Sequence, residues 1–354
     1  MNAADELQNR LLRHQVFLQR YIATLRKRLS KIITRSDQPA VSELTARLDA
    51  IGPLRPQQYE QQVLRVEQML NAVNQTRSSA FAELERVLMA QMAALATDEV
   101  GFTTEAIKVS LPVDVTVKAV PLAQIGAAIR TRPMRGRLMR DWAKSLKSAD
   151  RQRLSQAIRL GVLEGRTTDE IVRTVRGNPK SGFTDGIMQA SRRDAEAIVR
   201  TGVAHVSNAA RNDVFEANSD IIQAYKVVAT LDGRTTAVCR ARDGKILLAA
   251  GVSASDFPKA DILTPRTLRP PFHWGCRTTL TAVFDIDAIA SELGERPFVR
   301  DARTRRRREQ DFRAEAKAAV GKEAWSKLTE KQRRGLISDR RREWTEQNVG
   351  RERV

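Results

Sequence analysis

The chain has 354 residues, 42% hydrophobic and 5% aromatic, with 61 Lys and Arg against 42 Asp and Glu for a formal charge of +19. That length holds two domains, or one domain with extended helical arms, and a core built mainly from Leu, Ile, Val and Ala. No run of about 18 apolar residues argues for a membrane span, the polar N-terminus lacks the apolar stretch of a secretory signal, and two cysteines are too few for a disulfide scaffold.

The charge is unevenly placed: net +2 over residues 1–100, +9 over 101–200, zero over 201–299 and +8 over 300–354. A cationic excess on both sides of a neutral block favours a polyanion, nucleic acid above all, because Lys and Arg displace counterions condensed on phosphate. An Arg-rich soluble surface is the alternative.

Residues 4–35 and 41–96 are predicted helices. Leu7, Leu11, Leu12, Val16, Phe17 and Ile22 recur near helical spacing in the first, and Leu64, Val66, Met69, Leu70 and Val73 in the second. Ser36–Pro39 and Gly52–Pro56 punctuate them. Few aromatics and many Gln and Arg fit either a hairpin that packs on a partner or a plain helical bundle. Residues 106–120 change period, with Val109, Leu111, Val113, Val115 and Val117 alternating as in a half-buried strand. Pro112 makes it an edge strand or a broken one. Helices are expected again at about 134–149 and 150–164, the second ending at Gly165, a residue suited to a helix C-terminus. Thr167 and Glu170 form a capping box for a further short helix, 177–186 is a loop, and a long helix runs from about Ser191 to Asn218.

From 222 to 284 the pattern is strand and loop. IQAYKVVAT, ILLA after an Asp-Gly turn, and CRTTLTAVF read as three strands. Asp232-Gly233 and Asp243-Gly244 mark the turns, since Gly supplies a positive φ at low cost. The tail from 300 onward is helical and charged, with Trp325, Leu328, Leu336, Ile337 and Trp344 as a modest apolar face.

The informative stretch is Ala229-Thr230-Leu231-Asp232-Gly233-Arg234-Thr235, then Cys239, Asp243-Gly244-Lys245, and Pro270-Pro271-Phe272-His273-Trp274-Gly275-Cys276-Arg277. Cys239, His273 and Cys276 supply two thiolates and one imidazole, the donors zinc prefers. A fourth ligand would come from Asp243, Asp232 or water. In the competing reading these are packing and turn residues, with Asp232 and Arg277 as a structural ion pair. No Gly-x-Ser-x-Gly, Walker A or dinucleotide fingerprint is present. A Cys239–His273 nucleophile–base pair has no third orienting group at recognisable spacing, so no enzymatic activity and no small-molecule substrate are expected.

In order, these motifs resemble the phage Mu protein F-like family of minor head proteins. Two upstream segments do so as well: Gly161-Val162-Leu163-Glu164-Gly165 and Ala197-Ile198-Val199-Arg200-Thr201. Asp232, Arg234, Asp243, Gly244, Pro271 and Arg277 carry the likeness, which spans roughly 135–285. Relatives often have a second Cys near the first and another after the motif's Arg; here those places hold Thr235 or Thr236 and Thr278.

The expected architecture is α+β and mainly helical: a long N-terminal helical arm over 1–100, a strand-containing connector over 101–133, a Mu F-like core with a small β element over 134–285, and a basic helical tail over 286–354. The resemblance implies a minor capsid component inside the virion, assembled in the host cytoplasm, with the portal and the major capsid or scaffolding protein as partners and a role in DNA ejection. Packaged double-stranded DNA would be held without sequence preference through Arg305, Arg306, Arg307, Arg308, Arg340, Arg341 and Arg342. Rival readings are a nucleic-acid-directed effector carrying such a domain, and a free-standing DNA-binding protein. The first needs a catalytic module after residue 285, for which the remaining chain is short and Arg-rich.

Overall fold

The computed structural model of the chain describes residues 3–51, 59–111, 115–264, 268–284, 313–314, 316–330 and 332–339. Two long helices open it, α1 (Ala3–Ile51) and α2 (Tyr59–Ser110). They run antiparallel, as the pairing of Tyr21 with Gln91 and of Asp37 with Arg77 shows. The buried residues of α1 include Leu7, Leu11, Leu18, Ile22, Leu25 and Leu29, spaced by three, four or seven residues so that they make one stripe. Val16, Phe17 and Leu64, expected in the apolar faces, remain exposed.

Helix α1 does not break at Ser36–Pro39. It continues through Pro39, although proline removes one backbone hydrogen bond and crowds the preceding turn. The neighbourhood offsets that cost. Ala40, Val41 and Leu44 are buried, and Arg77 donates to Asp37 and, doubly, to Asp150. Tertiary packing overrides the local signal.

The strand expected over 106–120 is not there. Residues 106–110 complete α2, residues 112–114 lie outside the described part, and 115–120 are extended without a ladder. The side chain of Asn218 stands in for a strand partner: its Oδ1 accepts from Lys118 N at 2.7 Å and its Nδ2 donates to Lys118 O at 3.2 Å. Val117 and Val120 reach the core, which accounts for the apolar pattern. An unforeseen helix, α3 (Leu122–Thr131), follows; Pro121 before an Ala-rich run is the signal that marks its start.

Residues 139–163 form a single helix, α4 (Met139–Leu163), where two were expected. The Thr167–Glu170 capping box opens α5 (Thr168–Arg176) as predicted, and α6 (Ile187–Ala217) starts four residues before its expected position. Gly161 has a packing reason: a Cβ there would lie 2.6 Å from Ile171 Cγ1, so α5 crosses α4 at this residue. Helices α1, α2, α4 and α6 pack on one another. The hairpin therefore packs on α4 and α6 of the same chain, as in a helical bundle.

Three antiparallel strands, β1 (Ile222–Val228), β2 (Ile246–Leu248) and β3 (Thr279–Phe284), make a sheet in the order β2-β1-β3. Tyr225 of β1 pairs with Leu247 and Ala282 and stacks on Phe215 of α6 at 5.8 Å. Strand β3 packs on α1 and α6. The result is a mainly helical α+β protein. A short helix α7 (Ala237–Arg240) lies between β1 and β2. In the tail, residues 316–320, Lys322–Lys327 and 332–339 are helical, and Arg333 covers the ring of the buried Trp325. No helix among the described residues is long and apolar enough to cross a membrane.

Candidate metal centre

The site is built where β1 leaves the sheet. Asp243 Oδ1 accepts from Ala229 N at 2.8 Å, pinning the second Asp-Gly corner to the end of β1. Gly244 there has φ 78°, as expected, and its N–H donates to Val227 O at 2.8 Å. The first corner works differently, since Gly233 uses no positive φ. Side chains shape it instead: Asp232 Oδ1 accepts from Arg234 N at 2.8 Å, and Asp232 N donates to Thr235 Oγ1 at 2.9 Å. The Arg234 side chain itself is 85% exposed.

Thr236 caps α7 and thereby turns Cys239 inward. On the other side the Pro270–Pro271 turn, whose peptide bond is cis, brings His273 and Cys276 to the same point. Gly275, at φ 68°, donates its N–H to Thr201 Oγ1 of α6 at 3.0 Å, so the turn is anchored to the bundle. Cys239 Sγ lies 3.0 Å from His273 Nε2 and 3.7 Å from Cys276 Sγ. The three ligand atoms all lie within 4.8 Å of one another. His273 Nδ1 is 2.8 Å from the Trp274 carbonyl. A carbonyl only accepts, so Nδ1 carries the hydrogen and the Nε2 lone pair faces the thiols. That is the orientation a metal-ligating imidazole takes, with its outer N–H fixed by a backbone acceptor.

A tetrahedral zinc with Zn–S near 2.3 Å sets its sulfurs about 3.8 Å apart. The thiol pair here already meets that spacing. Burial pushes the Cys239 thiol up, and the neighbouring Cys276 adds to the effect. A divalent cation would reverse that balance, since a coordinating thiol gives up its proton.

Neither carboxylate considered as a fourth ligand joins the cluster. Asp232 takes Arg277 in a two-pronged pair at 2.7 and 2.6 Å, which with the Arg234 N–H holds its carboxyl well below the usual range. Asp243 is committed to Ala229. The cluster instead meets two hydroxyl residues that residue type alone did not flag as site members. Thr236 Oγ1 is 3.0 Å from His273 Nε2, and the Thr278 hydroxyl beside Cys239 works against the upward push on its thiol. Arg305–Arg308 and Arg340–Arg342 lie outside the described residues.

Residues 123–281 match the family model described as Phage Mu protein F like protein. Neither curated proteins nor solved structures gave a match. The matched range contains every residue of the cluster and both Asp-Gly corners, together with α3 to α6 and the sheet up to β3.

Proposed function

We propose that this chain, whose residues 123–281 match the phage Mu protein F-like family, is a minor head component that sits inside the capsid at the portal. The observation that carries the reading is the family domain itself, with its ordered motifs folded into one anchored turn. The mechanism is binding: the domain docks on portal, major capsid or scaffolding protein, while basic flanks lie against packaged double-stranded DNA, offset its charge without reading sequence, and serve its ejection. Mass spectrometry of purified virions tests the reading. The expected result is a low, fixed ratio to the major shell protein and protection from external protease until the shell is opened. Absence from purified virions refutes it.

Zinc at Cys239, His273 and Cys276 is the second part of the proposal. It would supply a clamp tying α7 to the turn before β3, and Trp274 O would keep the imidazole aimed. Water would complete the set of four. Metal analysis of the purified protein should find one zinc per chain, lost in Cys276→Ser together with thermal stability. Metal-free wild-type protein of unchanged stability ends the idea.

A further inference from the structure

A second concave site lies between α6, β2 and the Pro270–Pro271 turn, a cleft of about 780 Å³. Its polar lining includes Arg132, Arg135, Asn212, Glu216 and Arg269; Leu248 and the two prolines supply apolar wall. Three guanidinium groups thus face one lining carboxylate. Arg132 is neutralised by Asp213, and Arg269 shares Glu216 at 3.3 Å. Arg135 has no carboxylate partner among the described residues and makes one bond, to Phe272 O at 3.1 Å.

Among the described residues, two buried polar atoms of this lining find no partner. Arg269 stacks on Tyr225 at 4.8 Å and leaves its Nη1 buried with no acceptor. Asn212, only 6% exposed, leaves Oδ1 with no donor. Buried polar atoms normally find partners, so an orphaned donor and an orphaned acceptor on one cleft point to a ligand that offers both. The backbone also marks the place. Arg135 and Gly136 form a two-residue turn between Met134 and Arg137, with φ 54° and 80°. Gly suits the second position, but an arginine rarely adopts the first. The turn holds Arg135 at the cleft mouth.

Duplex DNA offers phosphate acceptors but no donor from its backbone, and a rod of that width does not enter such a cleft. A peptide segment bearing Asp or Glu presents a carboxylate beside backbone N–H groups and has apolar surface for the prolines. We propose that this cleft is the docking site for an acidic peptide segment of another head protein. This inference rests on the head-protein reading and names the chemistry of the partner.

The test uses the full chain against an array of 12-residue peptides tiling the portal and major capsid proteins encoded by the same phage, with a 24-base-pair random duplex and inorganic phosphate as further arms. Bound peptides should be rich in Asp and Glu. Arg135→Gln/Arg269→Gln should weaken them at least tenfold at unchanged duplex affinity. Because Arg269 also packs on Tyr225, the exposed single variant Arg135→Gln keeps the test independent of folding, and at least fivefold weakening is expected. No acidic peptide bound, equal binding by Arg135→Gln, or displacement of the peptide by duplex overturns the proposal. Displacement by millimolar phosphate alone reduces the cleft to a simple anion site and overturns it too. Virion content is measured separately, so failure here leaves the head-protein reading standing or falling on its own result.

Discussion

Glu99→Ala tests whether the N-terminal hairpin and the family domain are one folding unit. Glu99 of α2 is fully buried; Oε2 accepts from Arg211 Nη2 of α6 at 3.0 Å, and Oε1 meets His14 Nε2 of α1. Arg211, also fully buried, reaches Thr279 of β3 as well. One carboxylate thus ties α1, α2, α6 and the sheet. Burial lowers the Arg211 pKa and Glu99 opposes that fall. Truncating Glu99 strands a guanidinium in the core, which costs about 3–5 kcal/mol, a large share of a total stability of about 5–15 kcal/mol. With a urea m-value of about 3 kcal/mol/M, the midpoint should fall by roughly 1–2 M. Far-UV circular dichroism and tryptophan fluorescence should show one shared transition. Adding Arg211→Met should restore most of the loss, since an apolar side chain of similar length needs no counter-ion. A cost under about 1 kcal/mol, or a hairpin that melts on its own before the domain, refutes the reasoning.

Three further outcomes are expected. Burial lowers the His205 pKa, so the fold favours neutral imidazole; this contribution is whole above about pH 6.5 and is lost as pH falls through the folded value. Urea midpoints should drop between pH 7.5 and 5.5 in the wild type and much less in His205→Gln, and parallel curves would contradict the assignment. Thr236→Cys places a third thiol near a point 3.0 Å from His273 Nε2; chelator competition should show zinc held at least tenfold tighter as the thiolate displaces the water, and unchanged affinity would show that position 236 does not reach the metal. Gly161→Ala drives a Cβ to within 2.6 Å of Ile171 Cγ1 and should cost about 1–3 kcal/mol by overpacking, read from thermal melts; a neutral result would mean that α5 moves freely on α4.

What was legible in the residues follows from how local each cause is. The Thr167–Glu170 box, the Gly244 turn and the long apolar face of α6 are set by neighbours three or four residues away, and all were readable. The Cys239–His273–Cys276 grouping was readable because residue type alone proposes it, although the convergence depends on Gly275 reaching Thr201 across the fold. The misreadings lie where distant contacts decide. Pro39 stays helical because Asp37 and Asp150 meet Arg77, and 115–120 looks like a strand but bonds an asparagine side chain. The residues that border the thiol cluster, Thr236 and Thr278, carry ordinary hydroxyls, and only their position gives them a role.

The fold also redistributes the charge that pointed to DNA. The block 101–200 carries net +9, yet several of its arginines are paired with carboxylates of the hairpin: Arg140 with Glu85, Arg159 with Glu67, and Arg192 with Asp37. Such pairs add little stability where they are exposed, but each removes a cation from the reach of phosphate. Residues 300–354, net +8, are therefore the stronger candidate for sequence-independent contact with packaged DNA. Each phosphate neutralised adds about 0.9 to the slope of log affinity against log salt. Removing 300–354 should accordingly flatten that slope by several units in fluorescence anisotropy with random duplexes, while leaving the thermal transition of the helical core in place. A truncated protein that keeps the full slope would move the contact to arginines such as Arg151 and Arg193, which have no carboxylate partner among the described residues, and take the tail out of the mechanism.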